Sequence, residues 1–168
     1  MIIQSAHLSD IPSMLDIYGS ARNYQIKTKQ PTFAIFTKES IEAGIESQQY
    51  YKIEIEKKIA GIFTITFEDV LIWDKLENLC SVYLHRIATH PDFKGRNLMR
   101  VITDFAVDFA KKNNRQFVRM DTWNGNDNLK NYYLQFGFNI VGTRILPNDE
   151  RLNKHYWGET CVYLELKI

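Results

Sequence analysis

The stretch from Cys80 to Thr122 constrains this chain more than any other. It reads as a strongly apolar strand, Cys80–Thr89, then an amphipathic helix, Leu98–Lys112, then a second strand, Phe117–Thr122. Leu98, Val101, Ile102, Phe105, Val107 and Phe109 supply the helix's apolar side, and Asn113-Asn114 ends it. A connection of this length, carrying a helix, lets two strands lie side by side in parallel. The section therefore predicts a parallel β-α-β crossover inside a mixed α/β domain.

The flanking sequence supplies hairpins and helices around that crossover. Met1–Ala6 reads as a short first strand. Ser9-Asp10-Ile11-Pro12 reads as a helix start, followed by Ile11, Met14, Leu15 and Tyr18 at helical spacing. The pattern breaks over Tyr24–Phe36, and Thr37-Lys38-Glu39-Ser40 opens a second helix through Ile41 and Ile45. Tyr50–Glu56 alternates as a half-buried strand, Lys57-Lys58 forms the turn, and Ile59–Phe67 returns as its hairpin partner. Val70–Leu79 is irregular and carries Trp73. After the crossover, Asn124–Asp127 can cap a helix over Leu129–Phe136, with Gly137 as a left-handed stop. Phe138–Arg144 and His155–Leu166 are the last strands. The expected order is β-α-α-β-β-β-α-β-α-β-β.

Bulk properties narrow the function. A length of 168 residues predicts one domain, 1–168, large enough for its own core. A net charge of +1 excludes a global basic field for nucleic acid. Cys80 and Cys161 are far apart in apolar contexts and read as free buried thiols. No Cys/His spacing suggests a metal site. No apolar run is long enough to span a bilayer, and MIIQSAHLSD lacks the pattern of a signal peptide, so a cytoplasmic location is expected by elimination.

The corner between the crossover strand and its helix reads HPDFKGRNLMR. Helix N-termini present free N–H groups and partial positive charge, which suit a phosphate. Gly95 permits close approach of the backbone, and Lys94 and Arg96 add charge. On these residues alone, a solvated turn with two cations is the better reading.

The wider pattern, YLHRIATHPDFKGRNLM followed by NDNLKNYYLQFGF, resembles the GNAT superfamily of acetyl-CoA-dependent N-acetyltransferases. In that family an R-G-x-G-x-G corner follows a strand and a His-Pro step. Lys94 and Gly95 match its opening, whereas Asn97 and Met99 stand where small residues are usual. Met99 is expected to project from the first helical turn, and Asn97 to accept a left-handed backbone. The second motif, N-x-x-A-x-x-x-Y-x-x-x-G-F, is matched by Asn126, Leu129 in the alanine position, Tyr133, Gly137 and Phe138, with its spacing kept. The resemblance covers roughly the second half of the chain by motif and the first half by element order.

The resemblance implies a mostly antiparallel sheet with a central parallel crossover, flanked by helices. It implies acetyl-CoA as cosubstrate, with Ile87, Ala88 and Thr89 offering backbone to the pantetheine arm. Backbone and charge from Lys94, Gly95, Arg96, Asn97, Leu98, Met99 and Arg100 would hold the pyrophosphate. Asn126 would bond near the pantetheine, or cap its helix, or both. Tyr133 would protonate the departing thiolate, packing in the core being its other reading. The acceptor would be a primary amine of a small molecule or peptide, attacking the thioester directly.

Acceptor contacts are expected from Tyr24, Trp73, His85 and Trp123, with Tyr156 and Trp157 nearby. His85, Glu77 and Asp121 are all open as general base, and none is assigned. No nucleic acid, membrane or metal partner is expected, and the family leaves room for a homodimer. A non-catalytic acyl-CoA sensor of the same fold is the alternative reading, motivated by Asn97 and Met99. A Rossmann-type nucleotide site is disfavoured, because no G-x-G-x-x-G follows the first strand.

Overall fold

The computed structural model describes residues 1–168. Its strands are β1 (Ile2–Ser5), β2 (Tyr50–Ile55), β3 (Lys58–Thr66), β4 (Ser81–Thr89), β5 (Phe117–Trp123), β6 (Asn139–Ile145) and β7 (Thr160–Lys167). Its helices are α1 (Ile11–Lys27), α2 (Lys38–Glu46), α3 (Val70–Trp73), α4 (Leu98–Lys112) and α5 (Asp127–Leu134). The strands form one mixed sheet in the order β1-β2-β3-β4-β5-β7-β6. It is mostly antiparallel, and β4–β5 is its parallel pair, as the crossover predicts.

α5 lies two residues earlier than expected at each end, and three other boundaries differ more. α1 runs on to Lys27, through the Tyr24 position where the apolar spacing fades. The Val70–Leu79 segment holds the short α3 and a 3-10 turn at Asp74–Leu76. β7 starts at Thr160 rather than His155, because Lys154–Tyr156 closes into another 3-10 turn capped by Asn153.

Backbone packing divides the chain into two compact units, with β4 and α4 each contributing to both. One unit comprises Met1–Ile65 and His85–Ile102. Its core gathers Met14, Ile17 and Tyr18 of α1, Ile41 of α2, and Tyr50, Ile62 and Ala88 of the strands. Thr37 and Ser40 cap α2 reciprocally, at 3.2 and 3.1 Å. Gly44 in α2 is required by contact, since a Cβ there would meet the Tyr50 ring at 2.6 Å.

The other unit comprises Thr66–Leu84 and Thr103–Ile168. β7 lies between β5 and β6, paired with β5 from Cys161 to Lys167 and with β6 from Thr160 to Glu165. The core here is aromatic: Trp73, Tyr83 and Tyr163 pack with Leu146, Leu152 and Cys161. A buried cation crosses it. Arg119 bonds Glu165 through Nε at 2.8 Å and Nη2 at 2.7 Å, and through Nη1 donates to Leu76 O and the Tyr83 hydroxyl. Removing Glu165 would strand that charge at a cost of about 3–5 kcal/mol.

The α4 stripe differs from the sequence reading in detail. Leu98, Met99, Ile102, Ala106 and Ala110 are the fully buried apolar positions, and Phe105, Val107 and Phe109 are half-buried.

Candidate active site

The β4–β5 ladder is short. It registers Ser81, Val82 and Tyr83 against Phe117, Val118 and Arg119, and stops there. Beyond it, β4 turns at Arg86, whose φ of 55° is left-handed. That backbone costs a non-glycine residue roughly 1–2 kcal/mol. Two tyrosines hold it: Tyr18 Oη donates to Arg86 O at 2.8 Å, and Arg86 Nη1 donates to Tyr50 Oη at 3.0 Å. The guanidinium also lies 5.4 Å above the Phe36 ring. Ile87, Ala88 and Thr89 follow this bend.

The corner after β4 opens with a 3-10 turn at Pro91–Phe93. Gly95 then takes φ 81° and Asn97 φ 55°, so Asn97 adopts the left-handed backbone its side chain tolerates. Arg96 N–H is spent on Phe93 O and Arg100 N–H on Asn97 O. The N–H groups of Gly95, Asn97 and Leu98 take no partner from the chain. Met99 does not project from this turn, contrary to expectation; its side chain is buried with Leu98. Lys94 Nζ stands 5.3 Å over the Tyr24 ring, and Arg96 and Arg100 are exposed. This corner is chemically a cationic cradle with donors to spare. An open groove of about 430 Å³, lined by Asp10, Lys52, Glu54, Lys58, His90 and Asp92, has mixed charge, and its buried Lys52 is already paired with Asp10 at 2.8 Å.

His85 is half-buried on β4. Burial, reinforced by the Arg86 charge, pushes its imidazole down to about 4, so it is neutral at physiological pH.

Asn126 caps α5, its Oδ1 accepting from Leu129 N at 3.0 Å. The cap carries Tyr133 into a buried position on α5, where desolvation, followed by the charges of Tyr132 and Asp121, pushes its phenol well above the ordinary tyrosine range. It stays protonated throughout the accessible pH range.

Two carboxylates of the same unit approach one another. Asp69 precedes α3, Asp121 lies in β5, and carboxylate oxygens of the two are within 4.8 Å. Burial first, then the neighbouring Asp121 charge, pushes Asp69 up to about 8. Burial pushes Asp121 up to about 6, against a hydrogen bond from the Cys161 thiol that stabilises its ionised form. At neutral pH Asp69 therefore keeps its proton and Asp121 is ionised. The Cys161 thiol is itself held far above the usual thiol range, by burial and then by Asp121, which makes it a donor and not a nucleophile.

Among the expected acceptor residues, Trp73 and Trp123 come together with Tyr156 and Trp157 in one aromatic cluster. Tyr24 is an exposed residue of α1 beside Lys94. Asp69 was missed because it sits in a segment with no periodicity. Its signal is a carboxylate placed just before the apolar run Val70–Trp73, as a helix start allows.

Residues 12–138 match the model of the acetyltransferase (GNAT) family. The chain belongs to the GNAT acetyltransferase family. Solved structures of this family share the fold over nearly the whole chain. A GNAT-family acetyltransferase from Listeria monocytogenes is 21% identical with a TM-score of 0.78, covering 99% of this chain and 94% of that one. The ribosomal-protein-S18-alanine N-acetyltransferase of Escherichia coli is 16% identical with a TM-score of 0.70, covering 99% and 93%. The putative acetyltransferase yncA of Salmonella typhimurium, solved with its cofactor acetyl-CoA, is 15% identical with a TM-score of 0.71, again covering 99% and 93%. No curated protein matches the sequence. This GNAT domain has no helix long and apolar enough to cross a membrane.

Proposed function

We propose that this chain is an N-acetyltransferase that moves an acetyl group from acetyl-CoA to a primary amine. The observation that carries the reading is the corner at Gly95–Leu98, with two left-handed residues and three unspent N–H groups between Lys94 and Arg96 on one side and Arg100 on the other. Such a corner fits a diphosphate. The yncA structure, which holds acetyl-CoA, supports the choice of ligand.

Lys94, Gly95, Arg96, Asn97, Leu98, Met99 and Arg100 would hold the pyrophosphate through backbone and charge. Ile87, Ala88 and Thr89 would pair with the pantetheine arm as an added strand does. Asn126 would act through the start of α5, which it caps. Acetyl-CoA supplies the activated acyl group and a thiolate leaving group. The chain's own residues manage the protons. Asp121, ionised above about 6, would accept one proton of the acceptor's ammonium; Tyr133, protonated at every working pH, would give its proton to the leaving thiolate and regain one from the nitrogen of the new amide. The amine is its own nucleophile, so Cys80 and Cys161 need form no acyl-enzyme. The whole chain, 1–168, would act as a single catalytic domain.

The sensor reading drew on Asn97 and Met99. Asn97 takes the backbone that glycine would, and Met99 packs inward, so neither residue argues against coenzyme binding. Thiol release from acetyl-CoA, followed with a panel of small amines and peptides, tests the proposal. Calorimetric binding of CoA without release for any amine would leave a sensor in its place.

A further inference from the structure

Arg86 presents a cation that no carboxylate of the chain answers. Arg119, Arg144 and Arg151 each face one, from Glu165, Asp74 and Asp149. The Arg86 guanidinium instead has neutral partners. One Nη1–H goes to the Tyr50 hydroxyl at 3.0 Å, and the Phe36 and Tyr50 ring centroids lie 5.4 and 5.8 Å from its central carbon. A guanidinium carries five N–H donors in a planar fork, so most of this fork is unspent, and the residue is exposed.

The mount beneath that cation is rigid. Tyr50 is 1% exposed, and its ring fits against α2 only because Gly44 has no side chain. The Tyr18 hydroxyl bonds both Arg86 O and the Tyr50 hydroxyl. Phe36 packs on Tyr18 with ring centroids 4.1 Å apart. Its loop is tied back to α1, where Arg22 Nε donates to Phe33 O at 3.2 Å and Gln25 Oε1 accepts from Phe33 N at 2.8 Å. The left-handed backbone of Arg86 is held by this same assembly. Backbone strain that its surroundings over-determine is a feature of ligand clamps.

We propose that Arg86 is a specificity residue that clamps a carboxylate, and that the acceptor is therefore an amino carboxylate such as an α-amino acid. A guanidinium takes a carboxylate through two parallel N–H···O bonds. One cation on a neutral aromatic mount matches one negative charge, whereas a phosphate dianion calls for more. Position along β4 gives the ligand its role. Ile87, Ala88 and Thr89 lie between Arg86 and the corner at Gly95. A pantetheine arm that pairs with them, starting from phosphates at the corner, carries its thioester toward Arg86. The assignment rests on the acetyl-transfer reading for its name as an acceptor contact, but the clamp's preference for a carboxylate is independent of it.

The test is calorimetric binding at pH 7 on the full chain without coenzyme. The probes are the common α-amino acids, their α-carboxamides and sodium acetate. At least one acid should bind more tightly than its own carboxamide, by about tenfold or more, the worth of a charge-assisted pair. Arg86→Gln should bring that acid down to the level of its carboxamide. Arg86→Lys keeps the charge and loses the fork, so it should retain only part of the preference. No acid preferred over its carboxamide, or a preference that survives Arg86→Gln, overturns the proposal. Acetate binding as tightly as the preferred acid overturns it too, since the clamp would then hold a free carboxylate and not an acceptor. If Arg86→Gln does not fold, Arg86→Lys decides, and an undiminished preference there is fatal. Carboxylate-selective binding with no thiol release would sink acetyl transfer and keep the clamp. Thiol release with acid and carboxamide used equally would do the reverse.

Discussion

The Cys161 thiol donates a hydrogen bond to the Asp121 carboxylate across the β5–β7 pair. A thiol is a weak donor, and here it does the work of tuning an acid. It holds Asp121 lower than burial alone would. Cys161→Ala removes the donor, so the limb of the pH–rate profile that falls near 6 should move upward. The expected movement is about half a pH unit to one unit, the worth of one modest hydrogen bond. A profile of thiol release against pH for both proteins measures it; an unmoved limb would show that the thiol does not tune the base.

Asp121 itself should be indispensable for rate and dispensable for fold. Asp121→Asn keeps the shape and removes the proton acceptor. The turnover number should fall by roughly 10²–10⁴, the usual worth of a positioned base. The limb near 6 should vanish from the residual activity. A variant with full activity would mean that a water chain or another group carries the proton.

Asp69 makes a prediction about stability with a definite sign. Its carboxyl titrates at about 8 in the folded chain against 3.8 as the reference value. Between those values the folded state holds a proton that the unfolded state has released. The associated stability is fully present below about pH 3.8 and is lost as pH rises through about 8. Asn cannot ionise, so Asp69→Asn should melt several degrees above wild type at pH 9, on the order of 5 °C, and show no such advantage near pH 4. Thermal unfolding at the two pH values decides it.

The parts of this molecule that obey a period were legible in the sequence. The Cys80–Thr122 crossover, the Tyr50–Phe67 hairpin and the α5 cap at Asn126 all come from local rules, and all are present. The family motifs picked out the corner, where Gly95 and Asn97 do turn left-handed. The carboxylate pair was not legible. Asp69 and Asp121 are 52 positions apart, in a loop and a strand, and only the tertiary fold brings them within 4.8 Å. The burial of Met99 was misread because a helix's first turn looks exposed in sequence, whereas here that turn already packs inward.

Gly95 isolates the backbone requirement at the corner. An added Cβ would meet no atom within 4 Å, so substitution brings no clash, only the strain of φ 81°. Gly95→Ala should cost about 1 kcal/mol through that strain. If the turn relaxes to relieve it, the unspent N–H groups move. The apparent KM for acetyl-CoA should then rise several-fold, with the acceptor's KM unchanged. A rise in the acceptor's KM alone would place the coenzyme elsewhere.

Tyr133 is the sharpest case, because its two readings differ in what Phe would do. Its ring is buried and packs whether or not a hydroxyl is attached. If the residue only fills space, Tyr133→Phe leaves turnover intact and shifts stability by little, about 1 kcal/mol or less. If it is the donor, the thiolate must leave unprotonated, and the turnover number should drop by about 10² or more with KM for acetyl-CoA unchanged. The elevated phenol predicts something further. Since Tyr133 does not lose its proton in the working range, wild type should show no falling alkaline limb from this group, and Tyr133→Phe should lower the profile without reshaping its acid side. On the proposed assignment the acid side reports Asp121, whose carboxyl is pushed up to about 6 by burial. Profiles of the two single variants against wild type therefore separate donor from acceptor: a Phe variant that reshapes the limb near 6 would mean that the two groups act as one coupled unit.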